Sequence, residues 1–265
     1  MALEKGVLDP KKRDPNEMFI GWAPAPSVDR RFLIGALPAR GLAAAGGAYA
    51  VASNLSDPGA GSWNTGATHT VRGYLTRGPY PIIRTPDAAA PSGVRTTLVV
   101  AEGKCTSGLA VEAVDGRAVT ASGVLIERKG RQMLEVPLLL DKWLEPAPAL
   151  AASRAPGPTV ESLGQATLRG TVMDTKCFFG VMRPARGRTH KACASLCIRG
   201  GVPPSFWART KDGREAVLLM TDAGGEALGE EILPLVADAV EATGEIFRID
   251  DIIQFRVDAS AYRRV

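Results

Sequence analysis

Aromatic residues are scarce in this chain, at 6% of 265 positions, and there are only two histidines. A protein that binds single strands by stacking bases sets aromatic side chains among basic ones, so nucleic acid is not an expected partner. Two histidines give little material for imidazole acid–base catalysis. The sequence contains no phosphate-binding G-x-x-x-x-G-K, no G-x-G-x-x-G and no H-E-x-x-H. It also lacks C-x-x-C, the haem-attachment C-x-x-C-H and the G-x-S-x-G elbow of serine hydrolases. These absences predict a protein without a catalytic apparatus of its own. Charge is unremarkable, with 32 Lys and Arg against 28 Asp and Glu and a net charge of +4. That is a mildly cationic solvated surface.

Glycine and proline are plentiful, at 29 and 19 residues, and favour short strands joined by turns. The one long helical stretch lies early. Phe32 to Ser53 reads FLIGALPARGLAAAGGAYAVAS, about the length that crosses a bilayer core. Lys5, Lys11, Lys12, Arg13, Arg30 and Arg31 precede it, and no Lys or Arg occurs from Asn54 to Val71. By the positive-inside asymmetry, this predicts a single-pass protein of the bacterial inner membrane. Residues 1–31 are then a cytoplasmic segment, 32–53 an uncleaved transmembrane helix and the C-terminal bulk periplasmic. Gly41, Ala43, Ala45, Gly46 and Gly47 would admit a close helix neighbour, so integral membrane subunits are expected partners through this anchor.

Residues 54–70 form a polar connector. Period-2 alternation then marks strands at Val71–Leu75, Thr97–Ala101, Val119–Ile126 and Gln132–Val136. A Pro/Ala linker over 144–162 separates this first domain, 71–143, from a second, 163–265. The second repeats the first. Leu168-Arg169-Gly170 echoes Val71-Arg72-Gly73, and Val240, Ala242, Gly244 and Ile246 follow Val119, Ala121, Gly123 and Leu125 at an offset of 121. The expected fold is mainly β, with two small OB-like barrels after the transmembrane helix. Mid-strand glycines suit the sharp coiling of such barrels.

Three of four cysteines and one histidine fall in one segment, as Cys177, His190, Cys193 and Cys197 with spacing C-x12-H-x2-C-x3-C. A helix from a Thr189 cap to Gly200-Gly201 would place the last three on one face. The four groups match the Cys3His set of structural zinc. An iron–sulfur cluster, a disulfide from Cys177 to Cys193 or Cys197, and a free-thiol redox site are the alternatives. Asp174 is placed either to accept from His190 or to cap a turn. Cys105 and His69 receive no role. Arg183, Arg186, Arg188, Lys191 and Arg199 surround the cysteines and would suit an acidic redox partner, or else a solvated loop.

The order D-x-x-C, H-x-x-C-A-x-x-C and a Gly-rich turn with Pro is carried by Asp174, Cys177, His190, Cys193, Ala194, Cys197, Gly200, Gly201 and Pro203. It resembles a group of uncharacterised exported bacterial proteins. The resemblance implies an extracytoplasmic setting and no particular activity. Together these readings predict a non-catalytic accessory subunit of an electron-transfer membrane complex. A metal or iron–sulfur electron carrier, and a periplasmic metallochaperone or assembly factor, are the other expectations.

Overall fold

Alternating apolar residues bounded by Gly-containing turns become strands because one face of each can be buried. The computed structural model describes residues 27–54, 59–107, 114–138, 141–151, 157–209 and 213–265. The basic N-terminal flank up to Arg13 and residues 152–156 of the Pro/Ala linker lie outside these. The chain divides into two compact units, Met1–Ser56 and Asp57–Val265.

In the first unit, helix α1 spans Ser27–Asn54, with Pro38 inside it and no buried residue. The sequence reading placed a helix here correctly and assigned it wrongly to the membrane. No helix among the described residues is long and apolar enough to cross a bilayer. At about 1.5 Å rise per residue, α1 has the length, so apolarity is what it lacks. Ala and Gly bury little surface, and Asp29, Arg30, Arg31 and Arg40 add charge. The expected transmembrane helix is therefore corrected. With it go the single-pass inner-membrane placement, with its cytoplasmic N-terminus and periplasmic domains, and the integral membrane partners docked through an anchor.

The second unit holds two five-strand barrels. The first is built from β2 (His69–Thr76), β3 (Ile82–Pro86), β4 (Val94–Ala101), β6 (Ala118–Arg128) and β7 (Arg131–Val136), with β1 (Ser62–Trp63), β5 (Cys105–Thr106) and β8 (Leu144–Pro146) as short additions. The pairing runs β6–β2–β3–β4, and β7 closes the circuit, parallel to β4 and antiparallel to β6. The second barrel uses β9 (Val160–Asp174), β10 (Pro204–Arg209), β11 (Glu215–Thr221), β12 (Ala239–Ile249) and β13 (Ile252–Arg256), with β14 (Arg263–Arg264) at one edge. It closes the same way, β13 running parallel to β11 and antiparallel to β12. Both circuits have the strand order of an OB barrel.

The duplication read from the sequence extends to register. Gly73 pairs with Val119 and Gly170 with Val240; Leu125 pairs with Leu134 and Ile246 with Phe255. The offset of 121 also relates the parallel pairs, Val99 with Leu134 and Met220 with Phe255. The repeated glycines are sites of close strand approach. A Cβ on Gly73 would lie 2.5 Å from Arg84 O, and one on Gly170 2.2 Å from Trp207 O.

Each barrel has its own apolar filling. Leu75, Ile83, Val99, Val119 and Leu134 pack in the first, and Phe206, Met220, Val240 and Phe255 in the second. A third layer, with Leu98, Val100, Ile126 and Met133 against Met173, Phe178, Phe179 and Leu219, joins them. Burying a side chain such as Phe178 contributes about 1.5–3 kcal/mol. Polar ties cross the same joint. The Arg84 guanidinium donates twice to Asp250, at 2.6 and 3.0 Å, with both side chains buried. The Tyr80 hydroxyl donates to Met220 O at 2.8 Å and accepts from the Leu228 N–H at 3.1 Å.

Candidate metal centre

The segment between β9 and β10 folds into two helices, α2 (Thr175–Phe179) and α3 (Lys191–Arg199). Asp174 ends β9 and caps α2, its Oδ1 accepting from the Cys177 N–H at 2.7 Å. Its other oxygen lies 3.1 Å from His190 Nε2, with both side chains buried. The two roles considered for Asp174 are thus both filled. An acceptor at Nε2 requires the proton there and leaves the lone pair on Nδ1, the form in which histidine binds metals.

His190 stands at the end of a 3₁₀ turn, Arg188–His190, that leads into α3. Thr189 lies within this turn and does not serve as the helix cap that the sequence suggested. The expected stop holds, since Gly200 caps α3 and Gly201 follows at φ +92°. The first barrel docks on this terminus. A Cβ on Gly200 would fall 1.7 Å from Lys104 O, and the Thr106 N–H donates to Gly200 O at 2.7 Å.

Of the four residues singled out in the sequence, three fall in one group, and Cys197 falls in another. Cys177, His190 and Cys193 form one group whose donor atoms lie within 4.8 Å of one another, and Asp174, Cys177 and Cys197 form an overlapping second group. All four cysteines are free thiols, with Cys177 and Cys193 sulfurs 3.9 Å apart. Two sulfurs at about 2.3 Å from a tetrahedral ion would stand about 3.8 Å apart, so this separation suits a shared ion. The group can hold a metal. Cys105, in β5, packs against the first-barrel core, and neither it nor His69, at the start of β2, belongs to the donor groups.

The sequence reading missed two lysines. Lys104, from the turn between β4 and β5 of the first barrel, places Nζ 2.7 Å from Cys193 Sγ and 3.7 Å from Cys197 Sγ. Its hydrogen bond to Cys193 holds Lys104 above the usual lysine range. The neighbouring Cys197 sulfur, burial and the Asp174 carboxylate push the Cys177 thiol far up. The adjacent Cys177 and the Lys104 charge hold Cys197 below the usual thiol range despite burial. An ammonium beside two sulfurs favours thiolates, the form that binds metals.

Lys176 is the second. It is 1% exposed, and its Nζ donates to Ala101 O, Gly103 O and Glu135 Oε1 at 2.7, 2.8 and 2.6 Å. Glu135 Oε2 accepts in turn from Trp63 Nε1 at 2.8 Å. The residue before Cys177 is thereby tied into the first barrel. Met182 places its Sδ 3.6 Å from Cys177 Sγ, and its side chain is exposed. Of the basic residues near the cysteines, Lys191 pairs with Asp238 at 3.1 Å and Arg199 with Glu230 at 3.4 Å.

No protein-family model and no curated protein matches the chain. Among solved structures it is similar to a deletion mutant of the single-stranded DNA binding protein from Thermus aquaticus, at 15% identity over 80% of this chain and 90% of that one, with a TM-score of 0.21. This likeness gives the expectation that excluded nucleic acid no support. So low a TM-score carries no argument for binding either, and the barrel assignment stands on strand order alone.

Proposed function

We propose that this chain is a non-catalytic zinc protein. Cys177, His190, Cys193 and Cys197 hold one structural ion that locks the β9–β10 excursion onto the first barrel. The observation that carries the reading is the convergence of Cys177, His190 and Cys193 donors within 4.8 Å, with Asp174 behind the histidine. Donors this close favour a single ion over a two-iron cluster, whose outer ligands stand farther apart. Zinc with three thiolates carries one negative charge, which the Lys104 ammonium balances. Cys177, Cys197 and His190 are 2, 1 and 4% exposed, as suits a closed structural site more than rapid metal transfer. A place in a membrane complex rested on the anchor helix and is not carried further.

The contact between Lys104 and Cys193 supports a second reading, a reactive thiolate at Cys193. Metal content and thiol reactivity of the full chain, purified without chelator, separate the two. The zinc reading expects one equivalent of zinc, lost in Cys177→Ser and Cys193→Ser, and an affinity lowered about tenfold or more in Lys104→Met. Metal-free protein in which Cys193 is alkylated far faster than Cys105, and slowly once Lys104 is replaced, would sink the zinc reading in favour of the thiolate.

A further inference from the structure

The three cysteines of the metal centre are not equally open. Cys177 and Cys197 are buried, and Cys193 is only half-buried. An oxidant arriving from solvent therefore meets the Cys193 sulfur first. The Lys104 ammonium stands 2.7 Å from that sulfur. A neighbouring cation favours the thiolate, which is the species that attacks peroxide oxygen.

A second sulfur lies within reach. Cys177 Sγ is 3.9 Å from Cys193 Sγ. A disulfide is about 2.05 Å long, so closure brings the two sulfurs together by about 1.9 Å. The two residues sit on separate short helices, α2 and α3, so closure does not require a helix to unwind. Cys197 is a poorer partner for Cys193, because it lies one turn on in the same helix. Cβ atoms at that spacing stand about 5–6 Å apart, and a disulfide holds them at about 3.5–4.5 Å. Redox-sensor cysteines are accessible, thiolate-rich and set beside a resolving thiol. Cys193, Lys104 and Cys177 supply those three features.

We propose that Cys193 is an oxidation site for hydrogen peroxide, that Cys177 resolves it as a disulfide, and that this closure empties the metal centre. The emptying rests on the zinc reading above. The chemistry balances in two steps. The Cys193 thiolate attacks one peroxide oxygen; the O–O bond breaks, Cys193 becomes a sulfenic acid and hydroxide leaves. The Cys177 thiolate then attacks the Cys193 sulfur; the S–O bond breaks, the disulfide forms and a second hydroxide leaves. The two sulfurs lose two electrons between them, the peroxide gains both, and two solvent protons turn the hydroxides into water. His190 and Cys197 are then the remaining ligands of the four, too few for structural zinc, which takes four.

The experiment uses the full chain purified without chelator. Zinc content is measured first, hydrogen peroxide is then added in the presence of a zinc-sensitive dye, and the cysteine pairs are mapped by mass spectrometry after alkylation. One zinc should be freed per chain and one disulfide should join Cys177 to Cys193. Dithiothreitol with added zinc should reverse both. Cys105→Ser should change neither, since Cys105 lies outside the donor groups. In Cys177→Ser the resolving sulfur is gone, so a dimedone-type trap should capture Cys193 as the sulfenic acid, a readout that needs no zinc. Zinc held against peroxide, zinc freed without a Cys177–Cys193 disulfide, a disulfide on another pair, or no trapped sulfenic acid in folded Cys177→Ser would each overturn the switch and leave the zinc reading standing. A chain that holds no zinc before peroxide would overturn the zinc reading and the switch with it, so the first measurement tells the two failures apart.

Discussion

The two barrels share strand order and register but differ in one connection. In the first, β2 reaches β3 through residues 77–81; in the second, β9 reaches β10 through residues 175–203, which hold both helices and Cys177, His190, Cys193 and Cys197. The barrel framework tolerates this because the excursion leaves one strand end and returns to its antiparallel neighbour, so no pairing is disturbed. The simpler barrel is not a bystander. It supplies Lys104 to the sulfurs and the acceptors for Lys176, so a site whose proposed ligands all come from one copy is flanked by groups of the other.

The joint between the copies is where the comparison breaks most readily. Arg84→Ala leaves Asp250 buried without its cation and should cost about 3–5 kcal/mol, read from urea denaturation midpoints. A loss under about 1 kcal/mol would mean that the apolar layer alone holds the barrels together. Next in size is the matched pair Gly73→Ala and Gly170→Ala. Each adds a Cβ against a crossing strand and should cost about 1–3 kcal/mol. Similar losses in thermal unfolding would show that both copies close under the same constraint; a loss in only one would show that the registers hide different strains.

The smallest effect concerns the buried tyrosines, one from each copy. Burial pushes the Tyr80 and Tyr262 phenols well above their ordinary range. The folded protein keeps protons that the unfolded chain releases, so this stability is full below about pH 10 and is lost as pH rises beyond it. Tyr80→Phe should shallow that alkaline loss, with Tyr262 keeping the remainder. It should also remove about 1 kcal/mol at neutral pH through the lost hydrogen bond to Met220. An alkaline slope unchanged by the substitution would show that Tyr80 does not carry it.

Much of the barrel pattern was legible because it is local. Alternation at Val119, Ala121, Gly123 and Leu125 and its echo 121 residues later is a period-2 signal, and the copied glycines mark where strands cross. The helix over 27–54 was legible for the same reason, but its environment was misread: flanking charge asymmetry was given more weight than the weak apolarity of Ala and Gly. Asp174 was recognisable from its spacing to Cys177, and its two oxygens fill both roles read for it, turn cap and partner of His190.

By itself, then, the sequence determined several of the strands, their repeat and the gathering of Cys177, His190, Cys193 and Cys197 in one short segment, because period, capping and spacing act over a few residues. Tertiary structure decided which groups surround that set. Lys104 meets Cys193 across 89 positions of chain, and Arg128 meets Glu215 across 87. Those contacts depend on how two closed barrels pack, and no local pattern encodes that: a lysine in a β-turn reads as solvated until a second domain covers it.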